Sequence, residues 1–210
     1  MFLATTQFTL PPSTPTKKTS TTNQVRINAG VWRSRILKFP DVNDLRPTPE
    51  RVRITVFNWL GQDLTGKTCL DLFAGTGAFG FEALSRNAKS VTMVENARLA
   101  YSALVQNQAQ LYNQTSLAEN CQILNQDALL FLDNNIQKFD VIFCDPPYNK
   151  SWLEKLLPIV NQHLSQNGML YVEAEFEIKS DVIWHVKKQD IAGNVYYHLM
   201  SKQPPSVIPA

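Results

Sequence analysis

Between residues 67 and 176, short runs of apolar residues alternate with amphipathic ones. No other feature constrains the fold as much. TCLDLF (68–73), SVTMVE (90–95), CQILN (121–125), FDVIFCD (139–145) and MLYVEAEF (169–176) are each apolar over most of their length and are read as strands. Helices are expected between them at 78–86, 97–112, 127–134 and 151–166. Ser151-Trp152-Leu153-Glu154 supplies a capping box for the last of these. A strand without a polar face must be buried on both sides, so the pattern predicts a parallel sheet with helices on each face. The end of the chain breaks the rhythm. VIWHVKKQ, Gly193-Asn194 and VYYHLM predict a final antiparallel hairpin. The expected fold is therefore α/β and Rossmann-like, a doubly wound and mostly parallel sheet closed by that hairpin.

A different kind of segment precedes the alternation. VRINAGVWRSRILKFP predicts two short strands around a turn at Asn28-Ala29-Gly30. LRPTPERVRITVFNWL predicts a helix, with Thr48 as N-cap, Pro49 in the first helical position and Glu50 at the positive helix end. Val52, Val56, Trp59 and Leu60 form its apolar stripe, and Arg51 and Arg53 fall off that stripe.

Charge follows the same division. The 210 residues carry 20 basic and 18 acidic side chains, a net charge of only +2. Residues 1–53 hold nine of the basic groups against three acidic ones, a balance of +6, and the remaining 157 residues are at −4. Four segments are predicted: a disordered leader at 1–24, a basic hairpin and helix at 25–62, a catalytic domain at 63–200 and a frayed tail at 201–210. The leader holds ten Ser or Thr residues and no acid. Disorder is favoured over the organellar transit peptide that this composition would also suit.

Cys69, Cys121 and Cys144 form no CxxC pair and cannot all be paired, which suits a reducing compartment and small core residues. No run of residues approaches the length of a membrane span. A cytoplasmic protein without membrane attachment is expected.

The chemistry starts at DLFAGTGAFG, Asp71 to Gly80, which leaves a strand and opens a helix. Gly75, Gly77 and Gly80 spell GxGxxG, and Glu95 ends the next strand about 20 residues later, where a carboxylate can accept from two ribose hydroxyls. Residues without side chains let backbone N–H groups approach a ligand. Asp71 discriminates among nucleotide cofactors. Its carboxylate would repel a pyrophosphate but attract the α-ammonium of S-adenosylmethionine. Asp127 follows the third strand and admits two compatible readings, an acceptor for the adenine amine or the N-cap of the helix that starts at Ala128.

Asp145-Pro146-Pro147-Tyr148 closes the fourth strand, at the edge where open α/β sheets place their ligands. Two prolines fix φ and remove backbone donors, so the loop presents acceptors, the Asp145 carboxylate and the Pro146 carbonyl. An exocyclic base amine has its lone pair delocalised into the ring. Two acceptors holding its hydrogens can turn that nitrogen toward tetrahedral geometry, while Tyr148 stacks on the extruded base.

DPPY beside DxFxGxG resembles the class I methyltransferases that act on amino nitrogens of adenine, cytosine or guanine. More narrowly, RINAGVWRSRIL, LRPTPERVRITVFNWL, CLDLFAGTGAFGFEALSRNA, VTMVEN and DVIFCDPPY together resemble the RsmD-type enzymes, from about Val25 to Met200. That resemblance implies transfer of a methyl group from S-adenosylmethionine to N2 of a guanine in 16S ribosomal RNA. It implies cofactor contacts from Asp71, Phe73, Gly75, Gly77, Glu95, Asp127 and Ala128, and an amine site of Asp145, Pro146, Pro147 and Tyr148. Three residues depart from the family pattern. Ser34 and Asn87 stand where glycines are usual, and Thr76 replaces a serine.

The cluster Arg26, Arg33, Arg35, Lys38, Arg46 and Arg51 is expected to hold RNA phosphates. Partners are then 16S rRNA or the small ribosomal subunit, with the protein acting as a monomer. No metal is expected, since His163, His185 and His198 are widely spaced. The competing readings are a DNA adenine-N6 or cytosine-N4 methyltransferase, an NAD-dependent oxidoreductase resting on GxGxxG alone, and a non-catalytic rRNA-binding assembly factor.

Overall fold

The computed structural model describes residues 23–41, 45–112, 120–147 and 152–203. The predicted leader thus lies outside them up to residue 22, as do Tyr148, Ser151 of the expected capping box, and the tail from 204 onward.

Seven strands form one sheet in the order β5-β4-β3-β6-β7-β9-β8. These are β3 (Thr68–Asp71), β4 (Ser90–Val94), β5 (Cys121–Leu124), β6 (Phe139–Cys144), β7 (Leu164–Ala174), β8 (Trp184–Ala192) and β9 (Val195–Lys202). The first five pair in parallel, and β9 inserts antiparallel between β7 and β8. Chain order runs outward from β3 to β5, then jumps back to β6 on the other side of β3. Such a switch opens a crevice at the carboxyl ends of the two central strands.

Side-chain alternation along each central strand divides the core in two. Cys69, Val141, Phe143 and Tyr171 join one cluster, whereas Leu70, Ile142, Cys144 and Val172 join the other. The first face is covered by α1 (Glu50–Leu60), α2 (Ala78–Ser85) and α3 (Arg98–Tyr112). The second is covered by α4 (Ala128–Asn134) and α5 (Trp152–His163). Phe57, Phe79, Phe143 and Tyr171 stack within the first cluster, with ring centroids between 4.8 and 6.3 Å apart. Cys69 and Cys144 are buried, and all three cysteines are free. Among the described residues no helix is long and apolar enough to cross a membrane.

The N-terminal segment corrects four expectations. The hairpin is real, with β1 (Asn23–Arg26) antiparallel to β2 (Ile36–Phe39), but Asn28-Ala29-Gly30 is not a tight turn. The nine residues between the strands instead fold against α2. Val31 N donates to Ser85 O at 2.8 Å, and a side chain on Gly30, which has φ +81°, would enter the Ser85 carbonyl. β1 starts at Asn23, inside the predicted leader. Thr48 does not cap α1, whose first residue follows Pro49 with no side-chain cap bond. Arg53 is buried rather than surface-facing. Its guanidinium donates to Arg26 O and Asn28 Oδ1 and pairs with Glu82. Val25, Ile27, Trp32, Leu37 and Phe39 belong to the same core cluster as the sheet.

Elsewhere the boundaries move more than the elements. α5 ends at His163 rather than 166 because β7 begins at Leu164, five residues earlier than read. The early part of β7 is polar, Ser165 to Asn167, so hydrophobic pattern alone could not find it. Ser34 and Asn87 have φ of +69°, the left-handed conformation that explains why glycines suit these two positions.

Candidate active site

Two loops meet at the switch point. The register Asp71↔Phe143 sets the ends of β3 and β6 side by side, and Leu72 N donates to Phe143 O at 3.0 Å. The glycine turn after β3 and the prolines after β6 therefore line one crevice.

The glycine turn is built by its sequence. Gly75 and Gly77 both have positive φ, +51° and +74°, and Gly77 is the left-handed residue that launches α2. A Cβ on Gly80 would fall 2.5 Å from Met93 Sδ, so that glycine lets α2 lie close on β4. Asp71 is buried beneath the turn and accepts one hydrogen bond, from Gly80 N at 3.0 Å. Burial chiefly, with the field of Glu95 added, pushes its carboxyl up to about 7 against that bond. Glu95 accepts from Gly75 N at 2.8 Å through Oε2 and from Ala97 N at 2.6 Å through Oε1, which ties the end of β4 to the glycine turn. Phe73 is half-buried and meets the edge of Trp152, ring centroids 5.5 Å apart.

Asp127 fulfils the cap reading. Its Oδ1 accepts from Leu129 N at 2.9 Å and Leu130 N at 3.1 Å, and Ala128 opens α4. Both bonds go to one oxygen, which leaves Oδ2 for a ligand. Asp71, Glu95 and Asp127 thus stand at the ends of three successive strands, β3, β4 and β5. This acidic donor set, with positive-φ glycines admitting a ligand to the backbone, fits a cationic nucleoside cofactor of the S-adenosylmethionine type and suits a dinucleotide pyrophosphate poorly.

Asp145 is half-buried, Pro146 buried and Pro147 exposed. Burial, then Glu173, then Asp71, raise the Asp145 carboxyl well above the ordinary carboxylate range. A hydrogen bond from Thr48 acts in the opposite direction. Thr48 and Glu173 were not expected in the site. The Thr48 hydroxyl lies 3.0 Å from Glu173 Oε1 and 3.4 Å from Asp145 Oδ2, and Tyr171 donates its phenolic proton to Glu173 Oε1 at 2.6 Å. In the sequence Thr48 fits a local helix cap. The position of Glu173 is set by strand register, which the sequence does not show: Cys144 pairs with Val172, so Asp145 after β6 and Glu173 on β7 are neighbours.

Of the basic cluster, Arg26, Arg33, Arg35, Lys38, Arg46 and Arg51 are all exposed. Lys38 is held through its backbone, with its N–H donating to Asn107 Oδ1 and its carbonyl accepting from Asn107 Nδ2. Arg51 adds to the field that lowers the Asp190 carboxyl, after the bonds from Tyr197 and Ile191. His198 is buried and accepts the Ile178 N–H at Nε2. Among the described residues no group of three or more His, Cys, Asp or Glu side chains could hold a metal ion.

A doubly wound sheet with a glycine turn after its first strand, strand-end acids and an Asp-Pro-Pro loop at the switch point defines a class I methyltransferase fold. The family model described as Conserved hypothetical protein 95 matches residues 25–201, and the chain belongs to that family, the RsmD family. It is 37% identical over 189 residues to Ribosomal RNA small subunit methyltransferase D of Escherichia coli K12, covering 88% of this chain and 93% of that one. It is 38% identical over 192 residues to the protein of the same name from Haemophilus influenzae, covering 87% and 98%. The solved structure of yhhF from Escherichia coli superposes with a TM-score of 0.75 at 37% identity, over 86% of this chain and 99% of that one.

Proposed function

We propose that this protein methylates the exocyclic N2 amine of a guanine in small-subunit (16S) ribosomal RNA, using S-adenosylmethionine as donor. The observation that carries the reading is the adjacency of the Gly75–Gly77 turn and the Asp145-Pro146 acceptor pair at one switch point, in a chain whose relatives are named as small-subunit rRNA methyltransferases.

Asp71 would hold the α-ammonium of the cofactor, Glu95 its ribose and Asp127 its adenine, with Phe73, Gly75, Gly77 and Ala128 shaping the pocket. When bound, this cofactor supplies a methyl group already activated by sulfonium charge. What remains for the chain is positioning and charge placement. The Asp145 carboxylate and the Pro146 carbonyl accept the two amine hydrogens, which turns the nitrogen lone pair out of conjugation with the ring. The rigid Pro146-Pro147 backbone keeps both acceptors in place at little entropic cost. Tyr148 is assigned to stacking on the base. After transfer the nitrogen carries one proton too many, and the ionised Asp145 is placed to accept it.

Arg26, Arg33, Arg35, Lys38, Arg46 and Arg51 would grip phosphates from the 25–62 segment, fixing orientation without reading sequence. One chain carries cofactor site, amine site and basic surface together, which supports action as a monomer, in the cytoplasm where small subunits assemble.

The test offers labelled S-adenosylmethionine with undermethylated small subunits, naked 16S rRNA and duplex DNA. Label is expected in the rRNA of the first two and not in DNA. Asp145→Ala is expected to abolish transfer while retaining cofactor binding. Label in DNA instead, or full activity of Asp145→Ala, would contradict the reading.

A further inference from the structure

The Thr48 hydroxyl does not cap α1, which starts without a side-chain cap, and meets two carboxylates instead. It ties the amine site to a segment outside the sheet. Residues 45–49 cross from the basic hairpin into α1. A Cβ on Gly75 would sit 3.1 Å from Leu45 Cδ1, so the same segment lies along the glycine turn. Arg53, itself anchored to Arg26 O and Asn28 Oδ1 of the hairpin, donates to the Thr48 carbonyl at 3.4 Å. The Thr48 hydroxyl thus ends a chain of contacts that begins in the basic hairpin.

Its chemistry is limited by proton count. A threonine hydroxyl has one proton and can donate to Glu173 or to Asp145, not to both at once. Glu173 is 5% exposed and is oriented by the Tyr171 phenol, which belongs to the buried aromatic cluster. Asp145 is the most exposed of the three. Resting on the proposed role of Asp145 as amine acceptor, we propose that Thr48 and Glu173 are positioning residues of the amine site. Thr48 shares its proton between the two carboxylates, and Asp145 is oriented toward the base only when the segment leading into α1 is seated.

Among the described residues, the groups that act on Asp145 are Glu173 from β7, Asp71 from β3 and the Thr48 hydroxyl from the entering segment. The two carboxylates disfavour its ionised form and the hydroxyl favours it. Ionised Asp145 is the form that accepts an amine hydrogen, so activity must rise with pH as Asp145 loses its proton. The two positioning residues then have opposite signatures, which generalised loosening of the site would not produce.

The test is a 13C NMR titration of the Asp145 side-chain carboxyl in the full chain, assigned with Asp145→Asn. Glu173→Gln is expected to lower its midpoint by about one pH unit or more, and Thr48→Val to raise it. Thr48→Ser is expected to keep the wild-type midpoint. Single-turnover methylation at saturating rRNA and cofactor should shift its rising limb in the same two directions. Thr48→Val should slow transfer roughly tenfold at neutral pH while leaving cofactor affinity unchanged. A midpoint unmoved by either variant, or moved the same way by both, overturns the inference whatever the activity. Opposite shifts in a protein that methylates no rRNA would strike the proposed function and leave the inference standing.

Discussion

Asp71 combines near-complete burial with a single backbone hydrogen bond, and its carboxyl sits at about 7 as a result. The folded state therefore holds this proton more tightly than the unfolded chain does. Its stabilising contribution is complete below the ordinary value of 3.8 and is lost as pH rises toward about 7. At 1.36 kcal/mol per pH unit, with the slope flattening near pH 7, this amounts to roughly 2 kcal/mol between pH 5 and pH 7. Urea unfolding of the cofactor-free protein should show wild type losing about that much more stability than Asp71→Asn over this range. Equal losses would mean that Asp71 is already ionised. Titration calorimetry should find weaker S-adenosylmethionine binding by Asp71→Asn at pH 8, by about tenfold or more, because the ammonium loses its counter-charge. Asp71 was legible in the sequence because its role follows from a local pattern, a strand-end acid before a glycine turn. Thr48, Glu173 and Arg53 were not. Thr48 matched a helix cap, Glu173 sat in a strand read as apolar over most of its length, and Arg53 fell beside an apolar stripe. Their roles come from contacts with residues distant in sequence, such as Thr48 with Glu173 and Arg53 with Glu82.

Among the elements, α2 does two jobs. Its start carries the glycine turn, and Glu82 in its middle fastens the hairpin loop. Glu82 is fully buried, accepts from Asn28 N at 2.7 Å and Ala29 N at 3.0 Å, and pairs with Arg86 at 2.8 Å and Arg53 at 3.7 Å. Removing its charge would leave two buried guanidinium groups without their common counter-ion. Glu82→Gln is expected to cost about 3–5 kcal/mol of unfolding free energy, measured by urea denaturation. Hydrogen exchange at the Asn28 and Ala29 amides should speed up, while amides of β6 keep their order of protection. A variant as stable as wild type would show that the hairpin is held by its apolar contacts alone. Glu82 and Arg86 are an i, i+4 pair of α2 and both are buried, Arg86 against the Phe57 ring of α1. The strands were legible wherever they are buried on both faces, as in β3, β4 and β6. They were misjudged where β7 begins with polar residues and where the hairpin loop takes its shape from Ser85 rather than from its own glycine.

For the whole molecule, the net charge of +2 conceals an uneven distribution of charge. Exposed basic side chains cluster on the hairpin and the segment entering α1, while acids gather at the carboxyl ends of the sheet. Charge reversal of Arg33 and Arg35 together should weaken rRNA binding and reduce its dependence on salt, each lost phosphate contact lowering the slope by about 0.7–0.9. Cofactor affinity should stay unchanged, since neither residue has a described bond to the cofactor turn. Equal loss of cofactor binding in calorimetry would instead assign these arginines to folding. The proposed reaction needs three parts of the molecule: strand ends at β3 to β5 for a sulfonium cofactor, an amine acceptor pair after β6, and a basic hairpin for RNA. The most direct measurement is nucleoside analysis by mass spectrometry of 16S rRNA from undermethylated small subunits treated with this protein and S-adenosylmethionine. N2-methylguanosine is expected from wild type and is expected to be absent when Asp145→Ala replaces it. N6-methyladenosine, N4-methylcytidine or unmodified rRNA from the wild-type protein would contradict it.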